Sequence, residues 1–510
     1  MANAKKKTAK KKTAQKKAVN KKAGKKRTTG TRKAKKKKTA AKSGRKTPAI
    51  PTGVATELAR LRKYFRTAAR DIGNGKTVHG TTAWARMSEL LEGLSSAQRR
   101  DYEAPRRSDK AGDLRSIKGR FFTVYYATSG RNAVTTAIAQ RVSDTIDRVI
   151  QRFVDTFGTK FGWGSSGKAY FDATSAMYAD AATKTIHFNA DIFMRNDSNP
   201  AARDGFVTHE AFHAYQFGCG WSVSVTHAGT KQLTYWILEG TAVWAELEFS
   251  QLDGNSALTN PVTLTSWFDR PNDIRLANRT KPAQGYPTLP FWMWLARAYP
   301  TAFTSFITTA PAKTSWIVDQ LAALVSRERD DEVGMEGVVT EFGAHLVLGD
   351  WLNSGYLPIY DIEQPTRTIL EVPTFEVPAD ALHTGELNNN DSTWVSGSNS
   401  LPNASIGFFL AKYRLPERHD PSNTQAIFEV EDQTIIGAGT PSYFVVIEHP
   451  STASIELFEV DSETTFPETR TFNDPKSANV YMIVSSDQHP IVTGFADDVE
   501  LDFRARFGSS

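Results

Sequence analysis

Apolar positions three and four residues apart run from Leu58 to Ile72 and from Thr82 to Leu94, which predicts two amphipathic helices. A polar stretch, EAPRRSDKAGDL (103–114), reads as a linker. GRFFTVYYATSG (119–130) follows, rich in aromatic and β-branched residues, and predicts a strand. Val134, Ile138, Val142, Ile146, Ile150, Val154 and Phe157 then keep helical spacing, and Gly158 supplies a stop. KAYFDATSAMY (168–178) and TKTIHFNADIF (183–193) are two further strand segments. NPAARDGFVTHEAFHAYQFG (199–218) predicts a helix, with Asn199 or Asp204 as its cap and Gly218 as its end. KQLTYWILEGTAVWAELEF (231–249) and LPFWMWLARAYPTAFTSFI (289–307) predict two more, and a helical pair lies between Thr314 and Leu352.

The period changes after Thr393. ASIGFFLAKYRL, TQAIFEV, SYFVVIEH, ASIELFEVD, NVYMIVSS and PIVTGFA are short apolar runs, mostly separated by Pro, Asp, Asn or Gly, which is the spacing of a β-sandwich. The fold class is therefore α+β: a small sheet with a helical bundle, then an all-β domain. The expected boundaries are a tail at 1–50, a helical lead-in and linker at 51–115, a mixed domain at 116–371, a connector at 372–392 and the sandwich at 393–510. At 510 residues the chain is too long for a single core.

Charge divides the chain more sharply than hydropathy does. Of 63 Lys and Arg, 22 precede Pro48, and no acidic residue occurs before Glu57. The remainder holds 41 basic against 55 acidic residues, a net of about −14. The Lys-, Ala- and Thr-rich start cannot bury apolar area to offset its chain entropy, so disorder is expected. It resembles the tails of linker histones in composition. Clustered Lys binds polyanions by releasing counterions, so nucleic acid or another polyanion is the expected partner of residues 1–47. That segment has no aromatic residue, so base stacking is not expected. A single cysteine, Cys219, excludes an internal disulfide framework and reads as a small buried residue. No apolar run approaches a membrane span, and no Sec signal peptide is evident at the start. A cytoplasmic or nucleoid-associated location is expected, with non-classical export as the other route.

The chemistry concentrates in THEAFHAYQ (208–216). Two histidines at i and i+4 share one helical face about 5–6 Å apart, so His209 and His213 can reach one zinc ion. Glu210, between them, is placed to act as a general base, because zinc lowers the pKa of a water to about 7. The short motif also occurs on ordinary helices, and a third ligand decides the matter. WILEGTAVWAE (236–246) supplies Glu239 on the next predicted helix, between Leu238 and Gly240, where a buried carboxylate needs a partner.

With these two helices the chain resembles a gluzincin metallopeptidase, the group that includes aminopeptidase N-type and peptidase MA-like domains. The likeness covers roughly residues 119–310. It implies Zn2+ as cofactor, His209, His213 and Glu239 as ligands, and Glu210 as base. It further implies an oxyanion-stabilising Tyr286, although Pro287 follows it where the family has Lys-Gly. The strand before the motif helix would pair with an extended peptide, which points to His187, Asn189 and Ala190. Glu246 or Asp204 would orient a ligand histidine, and the sequence does not choose between them. The exopeptidase motif is not evident, which favours an endopeptidase acting on a peptide or protein. Two other readings stand beside it: a nucleic-acid-associated binding protein with an inactive or structural gluzincin-like fold, and an exported effector whose tail is a packaging signal.

Overall fold

The computed structural model describes residues 50–73, 80–95, 98, 114–172, 176–196, 200–227, 230–250, 288–312 and 314–348, and beyond these mainly the strands from His383 to Gly508. The expected tail and most of the connector at 372–392 lie outside the described residues. Ala49–Ser510 forms one compact unit of mixed helix and sheet. Helices α1 (Thr52–Gly73) and α2 (Thr81–Glu92) come first. A mixed sheet follows, of β1 (Leu114–Lys118), β2 (Phe122–Ala127), β3 (Gly167–Asp172), β4 (Tyr178–Asp180) and β5 (Thr185–Asn189), in the order β1-β2-β3-β5-β4. β2, β3 and β5 run parallel, and β1 and β4 close the two edges antiparallel.

α3 (Thr136–Phe157) crosses from β2 to β3. The Thr135 hydroxyl accepts from Ile138 N–H at its start, and Gly158 at φ 66° ends it, a left-handed turn that glycine takes without a Cβ clash. After β5 comes the short α4 (Ala190–Arg195), then α5 (Pro200–Gly218) and a two-stranded hairpin, β6 (Ser224–His227) with β7 (Thr230–Leu233). α6 (Tyr235–Phe249), α7 (Leu289–Ala298), α8 (Pro300–Thr308), α9 (Ile317–Arg329) and α10 (Met335–Leu348) complete the helical part.

Several expected elements shift. The polar stretch ending at residue 114 leads directly into β1. The strand expected through Phe193 stops at Asn189, whose side chain accepts from Ile192 N–H and starts α4. Asp204 lies inside α5 rather than capping it. The helix expected over 289–307 breaks at Pro300, which cannot continue a helical ladder but suits a first turn.

The C-terminal part holds two sheets. One has the order β13-β12-β15-β10-β8 and the other β14-β11-β16-β9. Their strands are β8 (His383–Glu386), β9 (Val395–Leu401), β10 (Phe408–Leu415), β11 (Gln425–Asp432), β12 (Pro441–His449), β13 (Ser454–Val460), β14 (Glu468–Thr471), β15 (Ala478–Ser486) and β16 (Val499–Gly508). β8 falls within the expected connector and pairs parallel with β10. α10 packs on β12 and β15, so Phe444, Val446 and Ile483 join the main hydrophobic core. A smaller, separate core of Leu58, Leu61, Ala83, Met87 and Leu94 holds α1 and α2 together.

Candidate metal centre

The two helices that carry the motif are not amphipathic in place. Every residue of α6 is buried, as is α5 from Arg203 to Phe217. Polar side chains on such helices face no water and are costly unless they meet each other. His209, Glu210, His213 and Glu239 are each 0% exposed.

α5 and α6 pack side by side and bring His209, His213 and Glu239 together. Gly240 makes the neighbouring contact close: a Cβ there would overlap Thr288 Oγ1 and Trp292 Nε1. α7 thereby lies against the turn of α6 that presents Glu239. His209 Nε2 is 3.3 Å from Glu239 Oε2, His213 Nε2 is 3.4 Å from the same oxygen, and the two Nε2 atoms are 3.2 Å apart. A tetrahedral ion bound at about 2.0–2.1 Å has ligand–ligand edges of about 3.3–3.4 Å. The three atoms therefore describe one face of such a tetrahedron.

The other ring nitrogens are turned to partners. His209 Nδ1 lies 3.4 Å from Glu246 Oε2, and His213 Nδ1 lies 3.1 Å from Gln216 Oε1. Gln216 is itself anchored, its amide donating to Thr241 Oγ1 at 2.7 Å, and the Thr241 hydroxyl donates to the Ile237 carbonyl. Gln216 Oε1 within hydrogen-bond distance favours the proton on His213 Nδ1, and the Glu246 carboxylate lies close to His209 Nδ1 without a formed hydrogen bond; once each ring is neutral with its proton on Nδ1, both Nε2 lone pairs are directed at the shared point. Burial disfavours the His209 imidazolium, but Glu239, Glu246 and Glu210 outweigh it and raise its pKa to about 10. Burial pushes Glu239 up, yet His213 and His209 hold it well below the usual carboxylate range. The triad behaves as a charge-compensated cluster that an ion can enter by displacing a proton.

Glu210 points to a different neighbour. Its Oε2 accepts from the Thr81 hydroxyl at 2.7 Å, and Thr81, at the start of α2, is itself 0% exposed. Tyr64 of α1 also faces this region: burial, then Glu239 and Glu210, raise its phenol above the ordinary range.

Of the sequence-derived site residues, the fold gathers His209, Glu210, His213, Glu239 and Glu246. It separates Asp204, whose carboxylate is paired with Arg141 at 2.7 Å and accepts from Thr145 at 3.0 Å, tying α5 to α3. The strand before the motif helix is not the free edge: β5 lies between β3 and β4, and β4 is the edge. His187 therefore cannot offer an open strand to a peptide. Its ring stacks between Tyr178 at 4.5 Å and Tyr170 at 5.5 Å, part of a cross-strand ladder that continues to Tyr125 and, over Tyr178, to Trp84. Asn189 caps α4, and Ala190 is buried in its first turn. Tyr286 lies outside the described residues. Cys219 is half-buried beside Tyr215, and burial raises its thiol to about 11.

Gln216, Thr241, Thr81 and Tyr64 went unread. Gln216 had a local signal, three residues after His213 on the same helical face. Thr241 sits two residues after Glu239 on α6, while Thr81 and Tyr64 reach the site from distant segments and left no trace in its spacing. Comparison of the chain with protein-family models and with curated proteins finds no match in either case.

Proposed function

We propose that the chain is a gluzincin-type zinc peptidase, with His209, His213 and Glu239 holding the ion and Glu210 as general base. The observation that carries this reading is the buried triangle of ligand atoms, 3.2–3.4 Å on a side. Two imidazoles with one carboxylate suit zinc; calcium and magnesium take oxygen donors. Zinc held there supplies a Lewis acid and brings a water's pKa to about 7. Glu210 accepts a proton from the attacking water and delivers it to the amine nitrogen as the amide C–N bond breaks, ending the cycle ionised. Glu246 and Gln216 keep the ligand rings in register through their Nδ1 atoms.

The substrate in this reading is a peptide or unfolded protein, cleaved internally, since no exopeptidase motif accompanies the metal helices. The two C-terminal sheets form a β-sandwich in this proposal. In β12, Phe444 and Val446 alternate with Val445 and Ile447, and all four are buried, so both faces of that strand are covered. Residues 1–47 bind nucleic acid or another polyanion by charge and favour a nucleoid-associated location. Among the described residues no helix is long and apolar enough to cross a membrane.

Metal analysis by mass spectrometry should find one zinc per chain in the wild type and in Glu210→Gln, and none in Glu239→Ala. Hydrolysis of a denatured protein should fall at least a hundredfold in Glu210→Gln. Zinc retained by Glu239→Ala, or unchanged hydrolysis in Glu210→Gln, removes the reading.

A further inference from the structure

We infer that the α1–α2 hairpin is an internal occupant of the substrate cleft that holds the basal rate of the intact chain at least tenfold below that of the open site. The inference rests on the peptidase reading above and concerns the regulation of the same site. A substrate carbonyl has to reach the metal ligands and the base, yet all four side chains are fully buried. Among the described residues, the start of α2 lies directly on the base, through Thr81.

The manner of covering is specific. Of the two Glu210 carboxylate oxygens that can take a proton, Oε2 accepts a hydrogen bond from the Thr81 hydroxyl, which fills the space beside the base. The edge strand of the sheet, which an extended peptide would use, is engaged by the same two residues. Gly80 N–H donates to the Met177 carbonyl at 2.7 Å, and Ala179 N–H donates to Thr81 Oγ1 at 2.9 Å. A donor and an acceptor that an exposed edge offers to an incoming strand are thus satisfied from within the chain. Close approach requires glycine: a Cβ on Gly80 would sit 2.8 Å from Ala176 Cβ and 3.1 Å from Phe65 Cε1. Next to it, Trp84 stacks on Tyr178 of the edge strand at 4.5 Å.

The hairpin is built to separate from the cleft as a unit. Its apolar residues pack in their own small core, distinct from the main one. An ion pair, Arg86 with Glu57 at 2.8 Å, joins α2 to α1. The buried Trp84 Nε1 of α2 and the Tyr235 hydroxyl of α6 have no hydrogen-bond partner among the described residues. The chain itself tethers the hairpin, which gives it a high effective concentration at the cleft. A cleavage or a partner that removes the tether or the hairpin opens the site.

The test uses the zinc-loaded full-length chain with two variants. Gly80→Val adds volume where none is available, and Thr81→Ala removes the hydroxyl on Glu210 with no added bulk. Two quantities are read on each preparation: the rate of zinc loss to EDTA, and hydrolysis of a denatured, fluorogenically labelled protein. In Gly80→Val, zinc loss and hydrolysis should each rise at least tenfold over wild type. Thr81→Ala should raise both in the same direction by a smaller factor. Faster zinc loss with no hydrolysis in either variant supports the cap and removes the peptidase reading instead. Zinc loss at the wild-type rate in both variants overturns the inference.

Discussion

Each histidine of the centre has two nitrogens, and their division of labour explains the choice of neighbours. Glu246 and Gln216 take the Nδ1 sides, so both Nε2 atoms converge with Glu239. Without an ion the cluster stores a proton on His209, whose pKa of about 10 stands above its ordinary 6.5. Metal binding requires that ring neutral, so it must release the proton. The apparent zinc affinity should therefore rise roughly tenfold per pH unit from near 7 and flatten near pH 10, because each unit of pKa shift is a tenfold factor. Stability of the metal-free protein carries the opposite sign. The His209 contribution is complete below the ordinary pKa of 6.5 and is lost as pH rises through about 10. Competition titrations with a chromogenic chelator at pH 7, 8 and 9, beside melts in EDTA, measure both. A flat affinity profile would show that the ring is already neutral. Glu239 remains ionised throughout this range, since its pKa is held low.

Among the helices, packing decides geometry at single turns. Gly240 stands between Glu239 and Thr241, both of which serve the centre, and α7 fills the space its missing side chain leaves. Alanine in a helix interior ordinarily gains about 1 kcal/mol over glycine. At Gly240 the added methyl meets Thr288 and Trp292, and overpacking of this kind costs about 1–3 kcal/mol. Gly240→Ala is expected to lower the melting temperature and to weaken zinc binding by moving Glu239. A calorimetric scan with a zinc titration reads both effects, and a more stable variant with full affinity would refute the account. The same reasoning explains why Asp204 is not part of the centre. Five residues before His209, about one and a half turns of helix, its carboxylate faces α3 and meets Arg141 and Thr145. Sequence spacing put it near the site, but direction around the helix took it away.

For the molecule as a whole, the division between a basic start and an acidic remainder makes the parts separable. Deleting residues 1–47 should abolish salt-sensitive binding to double-stranded DNA and leave peptide hydrolysis within twofold of the intact chain. Electrophoretic mobility at 50 and 200 mM salt measures the first. A protein with 6–10 phosphate contacts loses roughly 10³–10⁵ in affinity over that range. Loss of hydrolysis on deletion would contradict the separation. What could be read in advance was local. The i, i+4 histidines, Gly158 as a stop and the change of period after residue 393 depend on neighbours within a turn or a strand pair. The His-His-Glu triad was legible because helical periodicity sets the two histidines on one face and the next helix carries the glutamate. Other features were settled only by tertiary packing: β4 rather than β5 forms the edge, Glu246 rather than Asp204 attends His209, and Thr81 lies on Glu210 from 129 residues away. A residue's spacing along the chain specifies which face of its own element it occupies. Which other element fills the space against that face follows from how helices and strands bury their area together.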